Sequence, residues 1–175
     1  LWQVSCVPQD FGAPDWALGG TMYQIFPDRF FNSRIPKYHV PSDRDYVSWF
    51  SEPRWRPDEH GVVWNNDYFC GDLKGIERKL PYIRNLGVTV IYLNPIFLAA
   101  SNHRYDTADY EKIDAFLGGD EAFDRLIEEA HARGMKIVLD GVFNHTGDDS
   151  RYFNRRGNYP SEGAYQSRES QYANW

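Results

Sequence analysis

Apolar positions along the chain gather into three short runs separated by two stretches of helical period. Thr21 to Phe26 is the first run and reads as a strand, closed by Pro27. From Leu73 the residues Leu73, Ile76, Leu80, Ile83 and Leu86 recur every three or four positions, which predicts a helix ended by Gly87. Pro81 interrupts it, and a missing intrahelical bond there predicts a kink or two short helices. Val88 to Leu93 is a second strand, buried on both faces and ended by Asn94-Pro95. A polar loop is expected from about Ala99 to Asp114. Asp120 then caps a second helix whose apolar face is Phe123, Leu126, Ile127 and Ala130. Gly134 ends that helix, and the run Met135 to Leu139 predicts a third strand, again buried on both faces and reaching Asp140. Two consecutive strand–helix–strand units demand a parallel sheet with right-handed crossovers, so the fold class is α/β.

Between these elements the chain is irregular. Residues 1–20 carry Pro8, Gly12, Pro14, Gly19 and Gly20 and read as a lead-in. Residues 27–71 contain Pro36, Pro41, Pro53 and Pro57 and show no period. A loop of that length in a compact domain is functional or disordered, and Trp49, Phe50, Trp55, Trp64 and Tyr68 argue against disorder. From Arg151 onward the chain turns polar and aromatic, an excursion leaving the third strand.

Composition adds one positive clue and several exclusions. Aromatic residues make up 17% of the 175, and many sit among polar neighbours: Trp49, Trp55, Trp64, Tyr68, Tyr105, Tyr152 and Tyr159. Rings placed among polar groups suit sugars, whose C–H faces stack on them while hydroxyls bond nearby. A net charge of -6 with both signs intermixed argues against nucleic acid as a partner. No apolar run is long enough to span a membrane. Cys6 and Cys70 are too few for a disulfide framework and read as free thiols of a reducing compartment. With no export signal near Leu1, the expected location is cytoplasmic, although a chain that begins without Met can be part of a longer product.

Chemistry gathers where the second and third strands end. SNHRYDTADY (101–110) follows the second strand and DGVFNH (140–145) the third. They place His103, Tyr105, Asp106, Asp140, Asn144 and His145 on one rim of the sheet, the rim where α/β folds bind ligands. Two readings compete. His103, Asp106, Asp140 and His145 are all metal-ligand types, though a helical HxxxH or HExxH spacing is absent. Alternatively, carboxylates, imidazoles and a ring hold a polyhydroxylated substrate. A plainer duty for Asp140 and Asn144 is to cap a following helix, and for Asp106 to close its loop. His39, His60 and His131 read as surface or packing residues.

The segments YQIFPDRF (23–30), GDLKGIERKLPYIRNLGVTVIYLNPIF (71–97), SNHRYDTADY and DGVFNH occur in an order that resembles the catalytic domain of the α-amylase family, glycoside hydrolase family 13. The NHRYDT form is similar to its neopullulanase, cyclomaltodextrinase and maltogenic amylase branch. The resemblance covers roughly residues 20–150 and implies a (β/α)8 TIM barrel with its cleft at the strands' carboxyl ends. It implies retaining hydrolysis of α-glucosidic bonds in maltooligosaccharides, cyclodextrins or pullulan, with two carboxylates about 5 Å apart. By position, Tyr105 matches the ring that stacks on a glucose unit, and His145 the imidazole that bonds that sugar's primary hydroxyl. Asp140 matches a carboxylate that orients an arginine beside the nucleophile, while His103 and Asp106 line or brace the subsite. No organic cofactor is implied. Asn144 matches a position that holds structural calcium in many relatives. The Asn/Asp-rich calcium loop common after the branch's first strand is missing here, since Asn32 is followed by Ser-Arg-Ile-Pro.

A barrel of this kind takes about 250 residues. This stretch accounts for three strands and two helices, residues 21–147, followed at 148–175 by the start of a small inserted domain. The family's nucleophile, acid and third carboxylate follow later strands, and their motifs do not occur here. The expectation is therefore a partial (β/α)8 barrel that carries a sugar subsite but cuts nothing by itself. Its open sheet edges would pair with the rest of the barrel or with a second copy, a homodimer. The alternative for the parent is a non-catalytic amylase-like barrel that serves as a binding or transporter-subunit scaffold.

Overall fold

The computed structural model describes residues 6, 8, 12–37 and 41–174. In chain order the elements are β1 (Met22–Ile25), α1 (Pro27–Phe30), β2 (Asp45–Tyr46), β3 (Asp67–Tyr68), α2 (Leu73–Asn85), β4 (Val90–Leu93), β5 (Phe97–Ala99), β6 (Thr107–Ile113), α3 (Gly119–Ala132) and β7 (Lys136–Leu139). Single 3-10 turns lie at Asp15–Ala17 and Ala115–Leu117.

The central sheet is parallel, in the order β1-β4-β7, as two consecutive β–α–β units require. Its register is flush: Ile25 pairs with Leu93 and Leu93 with Leu139. The ladder continues one step beyond, where Asn94 N–H donates to the Ile25 carbonyl (2.9 Å) and Asp140 N–H to that of Leu93 (3.1 Å). The residues after β1, β4 and β7 therefore share one edge.

The apolar faces read from periodicity form the core. Leu73, Ile76, Leu80 and Ile83 of α2 and Leu126 and Ala130 of α3 are buried with Ile25, Val88, Ile91, Leu93 and Met135. Each fully buried aliphatic side chain contributes on the order of 1.5–3 kcal/mol. Leu86, expected on that face, is the helix C-cap and lies exposed.

Four expectations are corrected. The two short helices expected as one outcome at Pro81 do not form: α2 runs unbroken through it, because the proline faces solvent and water can take the bond it forfeits. The stretch from Ala99 to Asp114 is an antiparallel β5–β6 hairpin with a bulge, not a loop. Asp120 does not cap α3: Gly118 in the left-handed region starts that helix (φ 119°), and Asp120 Oδ1 accepts from Ile113 N–H at 3.2 Å. Finally β7 is only half-buried, since it forms an edge of the sheet, as β1 does.

The irregular 27–71 stretch is held by two-residue parallel pairing of β2 with β3 and by Trp49 packed edge-on to Phe69. Beyond β7 no helix forms among the described residues. The turns there are organised by buried Asn154, whose Nδ2 donates to the carbonyls of Tyr159 and Ser161 (both 2.9 Å) while its Oδ1 accepts from Tyr159 N–H. Cys6 and Cys70 are free thiols, and His60 and His131 are exposed. His39 lies outside the described residues. No helix among the described residues is long and apolar enough to cross a membrane.

Candidate carbohydrate-binding site

The edge after β4 and β7 brings a ring and a carboxylate together. Tyr105, from the β5–β6 connection, donates its hydroxyl to Asp140 Oδ2 at 2.8 Å, directly beyond the end of β7. Burial, and then this bond to a carboxylate, pushes the Tyr105 phenol up to about 12. Tyr92 on β4 faces the same carboxylate and is also raised, first by burial and then by Asp140. A lone tyrosine in the apolar run VTVIYL was the only sequence signal for it. Beside it, Gln24 Nε2 donates to Asn94 Oδ1 at 2.7 Å across the ends of β1 and β4.

His103 and Asp106 join this group through the loop that carries Tyr105. Tyr105 N–H donates to His103 Nδ1 at 3.1 Å, which makes Nδ1 an acceptor and puts the proton of the neutral ring on Nε2. Burial lowers the His103 pKa, against an opposing pull from Asp106. Asp106 accepts from the Ser101 amide at 3.0 Å and from the Ser101 hydroxyl, so it closes the loop, and Ser101 Oγ also lies 3.0 Å from His103 Nδ1.

Beneath the loop lies a buried polar clamp that sequence reading did not anticipate. Asn102 Nδ2 donates to Asp67 Oδ1 at 2.8 Å, and Arg104, 1% exposed, bonds Asp114 Oδ2 (3.1 Å) and the Asn102 carbonyl (2.9 Å). Arg44 holds the Ala99 carbonyl, and the Tyr68 hydroxyl that of Ala100. Asp28, 0% exposed, receives the amides of Phe69 (3.0 Å) and Cys70 (3.1 Å), and burial raises its pKa despite those bonds. It fixes the strand-like 67–71 segment to the end of β1, where Gly71 leaves no room for a Cβ against the Pro27 carbonyl.

His145 lies on the turn after β7, five residues beyond Asp140. Its exposed ring faces Asn144 Oδ1 through Nδ1 (3.3 Å), and its carbonyl accepts from the Tyr110 hydroxyl at 2.9 Å. It lines an open cavity of about 650 Å³ with Phe143, Thr146, Tyr152 and Phe153. Asp140 and Asn144 cap no helix. Among the described residues no set of three or more His, Cys, Asp and Glu comes together, so His103, Asp106, Asp140 and His145 do not form a transition-metal ligand set. Asn144 is exposed, with its amide oxygen turned to His145.

Residues 24–175 match the family described as Alpha amylase, catalytic domain. The chain is 49% identical over 180 aligned positions to an amylopullulanase of Thermoanaerobacterium thermosulfurigenes, covering 95% of this chain and 10% of that protein. It is 46% identical to neopullulanase 2 of Thermoactinomyces vulgaris, covering 79% of this chain and 22% of the other. Among solved structures, the ligand-free cyclic α-maltosyl-(1→6)-maltose hydrolase from Arthrobacter globiformis superposes with a TM-score of 0.74 at 41% identity, over 94% of this chain and 33% of that one. The chain thus spans between a tenth and a third of the length of these relatives. The fold class they imply is the TIM barrel, whose repeating unit is a parallel strand followed by a covering helix. This chain belongs to the α-amylase family, and residues 24–175 lie within its catalytic domain.

Proposed function

We propose that the parent polypeptide is a retaining glycoside hydrolase of α-glucosidic bonds, acting on maltooligosaccharides, cyclodextrins or pullulan. Residues 21–147 would be the first three strands and two helices of its (β/α)8 barrel, 148–175 the start of an inserted small domain, and 1–20 a lead-in. Strands supplied by the remainder of the barrel would cover the edges at β1 and β7. The observation that carries this reading is the 2.8 Å bond between Tyr105 and Asp140, a ring and a carboxylate from adjacent strand ends. Tyr105 presents its ring to a glucose unit while its hydroxyl keeps Asp140 in one rotamer, ready to orient a cationic partner. His103 and Asp106 hold that ring's backbone. His145, with Nδ1 turned to the Asn144 amide oxygen, accepts from a sugar hydroxyl through Nε2, a bond that strengthens as positive charge develops on the sugar. The nucleophile and the acid, about 5 Å apart in such chemistry, come from segments outside these residues, so the stretch alone cuts nothing. Its two free cysteines support a cytoplasmic setting.

The test is turnover of maltooligosaccharides by the full-length parent and its His145→Ala variant. A loss of about a hundredfold in kcat/KM is expected, the scale of one lost transition-state hydrogen bond. Turnover left untouched by the substitution would remove the subsite assignment. A wild-type parent with no glycosidase activity would remove the function.

A further inference from the structure

A concavity lies away from the strand-end residues, in the 52–64 loop. It holds about 810 Å³ and is lined by Glu52, Arg54, Trp55, Arg56, Asp58 and Trp64, among others. Both indoles are bare: Trp55 is 68% and Trp64 66% exposed. Exposed tryptophans in a polar loop cost solvation and contribute nothing to a core.

They are nevertheless held in fixed poses. Trp64 donates its indole N–H to Asp58 Oδ2 at 2.8 Å. Asp58 Oδ1 in turn accepts the amides of His60 (2.8 Å) and Val62 (2.9 Å), which closes a turn with Gly61 in the left-handed region (φ 78°). The Arg56 guanidinium lies 4.8 Å from the Trp55 ring centroid. Preset rings lose little freedom on binding. Two guanidiniums and two carboxylates line the same groove, and forked donors beside flat apolar faces suit adjacent hydroxyls on a sugar ring.

The groove is also tied to the loop that carries Tyr105. Arg54 N–H donates to Asp67 Oδ2 at 2.9 Å, and Oδ1 of the same buried carboxylate accepts from Asn102, the neighbour of His103. One side chain thus positions both surfaces.

We infer that Trp55 and Trp64 form a second α-glucan-binding groove, which grips a glucan chain by stacking while Arg54 and Arg56 bond its hydroxyls. The choice of α-glucan as occupant rests on the function proposed above; the groove itself rests on its own geometry.

The experiment uses the full-length parent with amylopectin as the probe, read by retardation in amylopectin-containing native gels and by tryptophan fluorescence. Trp55→Ala and Trp64→Ala should each weaken retardation by about tenfold or more and abolish the ligand-induced fluorescence change. Trp64→Phe keeps a ring but loses the bond to Asp58, and should fall between wild type and Trp64→Ala. Retardation equal to wild type in both alanine variants overturns the inference. So does a collapse of thermal stability in Trp55→Phe and Trp64→Phe, which would mean that another part of the parent covers the indoles. A change of oligomeric state on substitution would likewise overturn it, assigning the groove to a second copy. Failure of this inference is distinguishable from failure of the functional one. A parent that hydrolyses maltotriose while its tryptophan variants bind amylopectin normally loses only the groove. A parent that binds amylopectin through the tryptophans but cuts nothing loses only the hydrolase.

Discussion

Tyr105→Phe removes one oxygen and leaves the ring, which separates the two duties assigned to this residue. The hydroxyl donates to Asp140 at 2.8 Å. A hydrogen bond to a charged group contributes about 1.5–3 kcal/mol when shielded. Tyr105 is 36% exposed, so water competes and the contribution falls to about 1–2 kcal/mol. In the full-length parent this is a fall in kcat/KM of about 5- to 30-fold, carried mostly by kcat, because the bond orients Asp140 and does not hold the sugar. Tyr105→Ala should lose a further tenfold or so, mostly in KM, as the stacking face goes too. The double cycle with Asp140→Asn should show a coupling of about 1 kcal/mol, above the few tenths found for independent sites. The pH dependence has a definite sign. With the folded phenol near 12 and the unfolded one near 10, the folded state holds its proton longer; the stabilisation is intact below 10 and lost as pH rises through 12. Wild-type kinetics in Tyr105→Phe, or strict additivity with Asp140→Asn, would refute the orientation argument.

Four further outcomes are expected. Gly75→Ala should lower the urea midpoint, because the gain of about 1 kcal/mol in helix propensity is outweighed where the new Cβ meets the Phe31 carbonyl and lies 3.1 Å from Asp72 Oδ1. Pro81→Ala should raise that midpoint, through about 1–3 kcal/mol of added stability, by restoring an interior α2 bond at an exposed position. Asn154→Ala should cost about 2–4 kcal/mol and open residues 155–167 to limited proteolysis, since the Tyr159 and Ser161 carbonyls lose their donor. His103, held below its ordinary 6.5 by burial, takes up its proton first in the unfolded state. Stability should therefore be flat above 6.5 and decline as pH falls through the folded value; His103→Gln should remove that slope in acid melts.

What could be read from the chain follows from which forces leave a local imprint. The α2 and α3 faces and the order of β1, β4 and β7 were legible because burial of one helical stripe, or of a whole strand, writes a period into the sequence. The β5–β6 hairpin was not. Thr107 and Asp109 are buried on β6, and Asp109 is satisfied by Arg151, a partner far along the chain. A strand whose buried positions are polar looks like a loop until its partners are known. Asp120 failed as a cap for the opposite reason: two successive glycines with positive φ start α3, and local capping preference gave way to that geometry. The Tyr105–Asp140 contact was anticipated only as a shared rim, and the position of His145 beside Tyr110 and Tyr152 depends on turns with no period at all.

The NHRYDT segment shows why its residue types are so unlike one another. Asn102 and Arg104 point inward, His103 is half-buried, and Tyr105 turns outward, so neighbours along the chain serve opposite ends of the same construction. Arg104 sits at φ 60°, a left-handed conformation that costs a non-glycine residue on the order of 1–2 kcal/mol. Its guanidinium, bonded to Asp114 and to the Asn102 carbonyl in a setting without bulk water, holds the residue in that conformation, with Nη2 left unpaired. The left-handed step turns the chain sharply between His103 and Tyr105, which lets the Tyr105 amide reach His103 Nδ1 and aims the phenol at Asp140. A buried cation, a strained backbone and an exposed ring are thus one device. A glycine at 104 would relax the backbone yet lose the clamp, and a lysine would keep the charge but not the two directed bonds. The Tyr105–Asp140 geometry is specified by Arg104 as much as by either residue that makes the contact.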